Sequence, residues 1–513
     1  MFVKFKKILP HSLKRFFEIV ITTRNWAAIF AIFMIAVVVR LTILVSTNFV
    51  FDDAYIYARI ANNFSNGFGP VYNIGDNIQT NTSFLFLIVL SAFWKLIGET
   101  SIDVVRFFGA FADAIVAVGI VWLLSGGLRE NNKIEKQIPF LALMAGIAYA
   151  IIPTAAIPAV GGLETPFFSL VIIAVFLAIL YGRFNLAIML AIISVFIRPE
   201  GAIAAVIAIA FVWYKQRKIS IQQLFMIIGG ALLYCFIILI NYGTLIPQTV
   251  IAKSLVKGSV IDQWILFLKK FYISWMVLLP GFLSIIGIYR VFRHLKSLIP
   301  IFIYGLIYVL IITSFGSWWP WYFPPFIIIY ILSIFIGIEQ LRNAVSLHKN
   351  FKKISMVLVY IMSGIILVGF TVKAYSSIKA LDKKAITAWK NETAMVSMWI
   401  RSNIPHDKTG MLEPAGLYGL FLPYRIDDYP GLASRSVTTA LKRYKSIGGE
   451  PKSLEGFFYA IDMVKPDFLV LRESEFDAFI KTDTSRQYEN RYSCCAEFNT
   501  QERPFFVLVR KKK

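Results

Sequence analysis

Charge is scarce in this sequence: only 16% of its 513 residues are charged, and the acids are outnumbered, 30 Asp and Glu against 52 Lys and Arg. With 58% hydrophobic residues, 15% aromatic residues and a mean hydropathy of +0.67, that shortage excludes an ordinary soluble domain, which is about 45–50% apolar. The chain reads as a polytopic membrane protein. Its formal net charge of +22 comes from basic residues in short clusters between apolar runs, a topology signal rather than a nucleic-acid footprint. Cysteine is nearly absent. Cys235 lies in an apolar run and Cys494 and Cys495 are adjacent, which excludes a disulfide framework or zinc spacing. No cleavage site follows the basic N-terminus, so the first apolar run is expected to remain as a transmembrane helix. No internal repeat is visible.

Long apolar runs are what the sequence does have. Spans are expected near 26–47, 104–124, 138–157, 166–182, 184–197, 201–214, 224–241, 272–289, 298–314, 322–341 and 354–372, about eleven in all. The run 83–98 is taken as a short helix at the outer leaflet. Its length is roughly 24 Å at about 1.5 Å per residue, less than a hydrocarbon core of about 30 Å. This order puts residues 1–25 and the basic clusters 129–137, 215–218, 290–296 and 341–353 in the cytoplasm. It puts the loop 48–103 outside, with "GGLETP", "RPEG", "YGTLIPQTVIAKS" and "GSWWPWYFPP". The short spans around "RPEG" imply a turn inside the membrane's outer half, tolerated only beside protein or a water-filled cavity. After residue 374 the composition turns ordinary, with strand patterns at 466–472 and 504–510. The expected architecture is therefore an all-α transmembrane bundle over 26–373 with an extracytoplasmic α/β domain over 374–513.

The external motifs carry the chemistry. Asp52 and Asp53 open a helix, where a plain N-terminal cap is the bland explanation. Asp52 and Arg59 are seven residues apart and share a helical face, accompanied by Tyr55 and Tyr57. A carboxylate at a membrane surface beside cations suits group transfer from a lipid phosphate to a hydroxyl: it takes the hydroxyl proton while positive charge stabilises the departing phosphate. Arg59, Lys95, Arg198 and Lys253 are the cations in reach, each with snorkelling as its bland explanation. Glu164, Glu200, Gln248 and Trp319 are candidate walls; loop ion pairs, caps and an aromatic belt are their structural alternatives. Arg40 and Asp113, the charges inside spans, are expected to pair.

Taken in order, "DDAYIYARIANNFSNGFGPVYN", "GGLETPFF", "RPEG", "YGTLIPQTVIAK" and "WIRSNIPHDKTGMLEPAGLYGLFLPYRIDDYPGL" resemble the membrane glycosyltransferases of the GT-C superfamily. The likeness is strongest to the bacterial branch with the mycobacterial terminal arabinofuranosyltransferases, and weaker to protein O-mannosyltransferases and lipid A aminoarabinose transferases. The resemblance implies a polyprenyl-phosphate-sugar donor and an inverting single displacement, by a hexosyl or pentosyl transferase. The acceptor would be a hydroxyl of a cell-envelope glycan, lipid or protein at the outer face of a bacterial cytoplasmic membrane. It makes Asp52 the base, with Asp53 orienting substrate or supporting it and the choice of base between the two left open, and Arg59, Arg198 and Lys253 donor or phosphate contacts; Tyr55, Glu164, Glu200, Gln248 and Trp319 stand beside them as candidate walls. "IQTNTSFLF" departs from the family by lacking a proline, which leaves sugar and acceptor unassigned. No cofactor is required by the spacing, though a divalent cation would find carboxylates at Asp52, Asp53 or Glu164. The rival reading is a lipid-linked sugar transporter or flippase without transferase activity.

Overall fold

The computed structural model describes residues 23–128, 138–274, 277–315, 318–346, 351–482, 491–498 and 504–511. The basic N-terminal stretch and the cluster 129–137 lie outside the described residues.

The protein is a multi-pass membrane protein whose helices follow the apolar runs. They are α1 (Thr23–Thr47), α2 (Asp52–Ser65), α3 (Phe84–Ile97), α4 (Thr100–Gly127), α5 (Phe140–Ile151), α6 (Pro153–Ala159), α7 (Thr165–Leu180), α8 (Phe184–Ile197), α9 (Gly201–Gln216), α10 (Ile221–Tyr242), α11 (Gln248–Leu255), α12 (Val260–Leu268), α13 (Leu278–His294), α14 (Ile299–Ser314), α15 (Phe323–Ser346) and α16 (Lys352–Lys379). Among the described residues six helices are long and apolar enough to cross a membrane, or up to eight if the bent pairs α5–α6 and α12–α13 each count once. Three further expected spans fall on α7, α8 and α9, of 16, 14 and 16 residues, about 21–24 Å each. The expected span 138–157 is broken by 55° where Pro153 starts α6, because proline at a helix start supplies a fitting φ and no N–H to continue the preceding ladder.

Two features fix the bundle. Arg40 on α1 is fully buried and donates from Nε to Asp113 on α4 at 2.8 Å, while the Tyr149 hydroxyl on α5 donates to the other Asp113 oxygen at 2.8 Å. The expected intramembrane ion pair is present, and its remaining valences are filled by the α5 carbonyls of Ala150 and Tyr149. At "RPEG", Arg198 is extended and α9 starts at Gly201, where an added Cβ would collide with the Ser194 carbonyl of α8. That close approach brings Arg198 and Glu200 to one end of the bundle.

Beyond α16 come α17 (Lys383–Asn403), β1 (Thr409–Leu412), α18 (Ala415–Phe421), β2 (Arg425–Asp428), α19 (Arg435–Ser446), α20 (Leu454–Val464), β3 (Phe468–Arg472), α21 (Glu473–Thr482), β4 (Tyr492–Phe498) and β5 (Phe505–Arg510). The five strands form one sheet in the order β2-β1-β3-β5-β4, parallel across β2-β1-β3 and antiparallel across β3-β5-β4. The two expected strands are β3 and β5. Alternation along β3 divides the core. Leu469 and Leu471 pack with Val437, Phe457 and Ile461 of α19 and α20, whereas Phe468 and Val470 join Tyr418, Val396 and the α2 face. One face of the sheet is thus buried against the helix that carries the acidic pair.

Candidate active site

Helix α2 presents its acids to two neighbours. Asp52 accepts hydrogen bonds from the backbone N–H groups of Gly416 at 2.8 Å and Leu417 at 3.0 Å. Asp53 accepts none from the described residues and faces the charges of Lys253 and Arg198. Burial pushes the Asp52 carboxyl up to about 6 against the two amide hydrogen bonds, with Asp53 and Glu413 adding to the rise. Burial also raises Asp53, opposed by Lys253 and Arg198. Both carboxyls are thereby poised nearer neutrality than a surface aspartate.

Lys253, on α11, lines three adjoining spaces. The first, about 280 Å³, is walled mainly by apolar groups of α9, α14 and α11, including Ile203, Ile311, Ile312 and Phe315, with Glu200 at its edge. The second is a small polar void of about 40 Å³ that also meets Asp53, Tyr57, Glu164 and Arg198. Among the described residues Glu164 Oε2 and the hydroxyls of Thr80 and Thr249, all three buried, have no hydrogen-bond partner and line that void. Such atoms call for water or a ligand's polar group, and the void is large enough for either to enter. The third, about 690 Å³, opens between the bundle and the C-terminal region, with Asp52, Asp53, Trp319, Glu413, Asp428 and Lys452 on its walls.

The remaining charges differ in how fully they are occupied. Arg198, 2% exposed, is clasped by Glu164 at 3.3 Å and Glu200 at 3.2 Å and lies 4.8 Å from the Tyr322 ring centre. Lys253 makes no hydrogen bond or ion pair with a described residue; the charges of Asp53 and Glu200 act on it from a distance, and the rings of Trp321 and Tyr322 lie at 5.9 and 6.0 Å. Its ammonium donors are free for an incoming anion. Trp319 is 49% exposed and stacked on Trp321, an aromatic wall of the kind that takes a sugar face.

The structure gathers Asp52, Asp53, Glu164, Arg198, Glu200, Lys253 and Trp319 around these spaces, but not the other expected members. Arg59 is corrected from donor contact to brace: its guanidinium donates to the carbonyls of Tyr72, Gly419, Leu422 and Tyr424 and to Asn73, leaving it no free donor. Gln248 is corrected likewise, since its amide N–H₂ is shared among Gly431, Ser434 and Thr438 of the C-terminal region. Tyr55 is buried in the α2 core and lines none of the three spaces; Tyr57, two positions on, reaches the void. Lys95 lines none of them either. Sequence reasoning missed Thr80, Thr82 and Thr249, although "IQTNTSF" already showed a polar run before an apolar helix. It also missed Glu413, Asp428 and Lys452, whose approach needs the C-terminal fold. No group of three or more His, Cys, Asp or Glu is arranged to hold a metal ion among the described residues.

The architecture is the GT-C fold. A structure of ArnT from Cupriavidus metallidurans bound to undecaprenyl phosphate aligns over 95% of this chain and 98% of its own, with a TM-score of 0.57 at 12% identity. The arabinofuranosyltransferase AftD from Mycobacteria aligns over 96% of this chain and 40% of its own, with a TM-score of 0.55 at 12% identity. AglB of Archaeoglobus fulgidus, in complex with an inhibitory peptide and a dolichol-phosphate, aligns over 91% and 70% at a TM-score of 0.51, again 12% identical. In sequence the chain is similar to the terminal beta-(1->2)-arabinofuranosyltransferase of Mycobacterium tuberculosis, 25% identical over 254 residues. That match covers 46% of this chain and only 39% of the relative's length. Residues 384–509 match a family model described as "Domain of unknown function (DUF8728)".

Proposed function

We propose that this protein is a polyprenyl-phosphate-sugar-dependent glycosyltransferase. It would move a hexosyl or pentosyl unit to a hydroxyl of a cell-envelope acceptor with inversion, at the outer face of a bacterial cytoplasmic membrane. The observation that carries the reading is the position of Lys253, common to an apolar pocket, a polar void and a large cavity that holds the carboxylates. A prenyl tail fits the apolar pocket, its phosphate meets Lys253 with Arg198 behind it, and the sugar extends toward the acidic pair. The fold shared with proteins that hold undecaprenyl phosphate or dolichol-phosphate supports the same donor class.

Asp52 fits the base for a geometric reason. In a single in-line displacement the attacking hydroxyl approaches opposite the leaving phosphate, so base and phosphate cations belong on opposite sides of the anomeric carbon. Asp53 feels Lys253 and Arg198, whereas the charges acting on Asp52 are Asp53 and Glu413. Asp52 lines the large cavity but not the polar void that holds Arg198, so it fits the base for an acceptor entering by the large cavity, where Trp319 offers a stacking surface. The lipid phosphate leaves as a stable anion and needs no general acid.

The test is sugar transfer by purified protein in nanodiscs, with a panel of radiolabelled polyprenyl-phosphate sugars and a membrane glycan extract as acceptor. Label moving into product in wild type but not in Lys253→Met or Asp52→Asn supports the reading. Lipid binding without transfer from any donor, together with movement of the lipid across proteoliposomes, would replace it with transport.

A further inference from the structure

The C-terminal region meets the acidic pair through its main chain. Gly416 and Leu417 donate consecutive amides, one to each oxygen of Asp52. Held on both oxygens, a carboxylate loses its freedom to rotate, and its remaining lone pairs point one way. The fit is close. A Cβ at Gly416 would press on the Asp52 carbonyl and carboxylate, and the Tyr72 hydroxyl donates to the Ala415 carbonyl at 2.6 Å one residue away. The next turn is gripped by Arg59 through the carbonyls of Gly419 and Leu422. This much specific bonding at one carboxylate exceeds what attachment of a separate module requires.

We infer that the C-terminal region is a working part of the transfer site, its Gly416 and Leu417 amides fixing the direction in which Asp52 presents its free lone pairs to the acceptor hydroxyl. The inference rests on the reading of Asp52 as base and gives the region of unknown function a task in that chemistry. Gly416 and Leu417 touch no substrate and are positioning residues. Besides the amides, the titratable groups facing Asp52 are Asp53 and Tyr55 on its own helix, Tyr72 in the following loop and Glu413 just before α18, with Lys253, Asp428 and Lys452 on the other walls of the same cavity. The two charges that act on Asp52 most strongly, Asp53 and Glu413, are acids. The two amides are the hydrogen-bond donors to Asp52 among the described residues, and removing them disfavours the charged form.

The full-length protein in nanodiscs is assayed for kcat, KM and pH profile as wild type, Asp52→Asn, Gly416→Ala, Leu417→Ala and Leu417→Pro. Gly416→Ala is expected to lower kcat at least about tenfold, to leave the donor KM near wild type, and to move the acid limb of the profile upward by on the order of one pH unit. The Leu417 pair covers a Gly416 variant that does not fold. Both lose the side chain, but only proline also loses the N–H, at a first-turn position where it is tolerated. Leu417→Ala is therefore expected to keep the wild-type limb and Leu417→Pro to shift it. Equal limbs in all folded variants, with Asp52→Asn inactive, would overturn the inference and leave the base assignment standing. An Asp52→Asn protein as active as wild type would overturn both.

Discussion

Arg59 and Lys253 both sit within reach of the acidic helix and carry the same charge, yet one is saturated and the other open. Every donor direction of Arg59 ends on a carbonyl or on Asn73, whereas Lys253, near Asp53 and Glu200 but bonded to neither, has two aromatic rings beside it and three spaces in front. A buried cation with filled valences is a fastener. One with unfilled hydrogen-bond valences at a cavity junction, half-buried as Lys253 is, has donors to offer an incoming anion.

The strongest way to break this contrast lies with Asp52. Asp52→Asn should lower kcat by about 10³-fold while leaving the protein folded, the scale of a lost general base. Lys253→Met should follow, at about 10²-fold in kcat/KM with unchanged thermal stability; a stability loss without a rate loss would place Lys253 with Arg59 among the fasteners. Arg59→Met should do the reverse. It strands several buried carbonyls and is expected to cost about 3 kcal/mol or more in unfolding measurements, with activity per folded molecule falling less than for Lys253→Met. The acid limb of kcat/KM should lie near the pKa of about 6 at Asp52. The active form is the deprotonated one, so the rate should fall about tenfold for each pH unit below that value and level off above it. Trp319→Ala, at a half-exposed ring, should raise the acceptor KM about fivefold, or roughly 1 kcal/mol.

Much of this was legible in the sequence, in proportion to how local the determinants are. The expected spans fall on helices, except that 138–157 divides into α5 and α6 and 272–289 begins across the bend before α13; long apolar runs leave the backbone few other ways to satisfy itself in a membrane. The seven-residue spacing correctly put Asp52 and Arg59 on one face of α2. What that face meets was not legible: it turns to α18 of the C-terminal region, and the following residues Asp53, Ile56 and Tyr57 turn to the void instead. Strands β3 and β5 could be read because they are apolar runs. Strands β1 and β2, "TGML" and "RIDD", are four residues each and lack a readable alternation; they exist through their partners. Gln248 looked like a site residue because it sits beside one, and its neighbour Thr249 lines the void while its own amide turns to α19 and the loop before it.

The Arg40–Asp113 pair has a further consequence, for how the chain is made. The two residues are separated by 73 positions, so α1 leaves the ribosome well before its counter-charge exists. An arginine in a lone apolar helix raises the free energy of insertion, by up to about 3 kcal/mol at the helix centre and less toward an end, and Arg40 lies in the last third of α1. Until α4 brings Asp113 and α5 brings Tyr149, the arginine of α1 has no side-chain partner of its final set. The contact that locks α1 to the bundle is thus one that only a later-made carboxylate can complete.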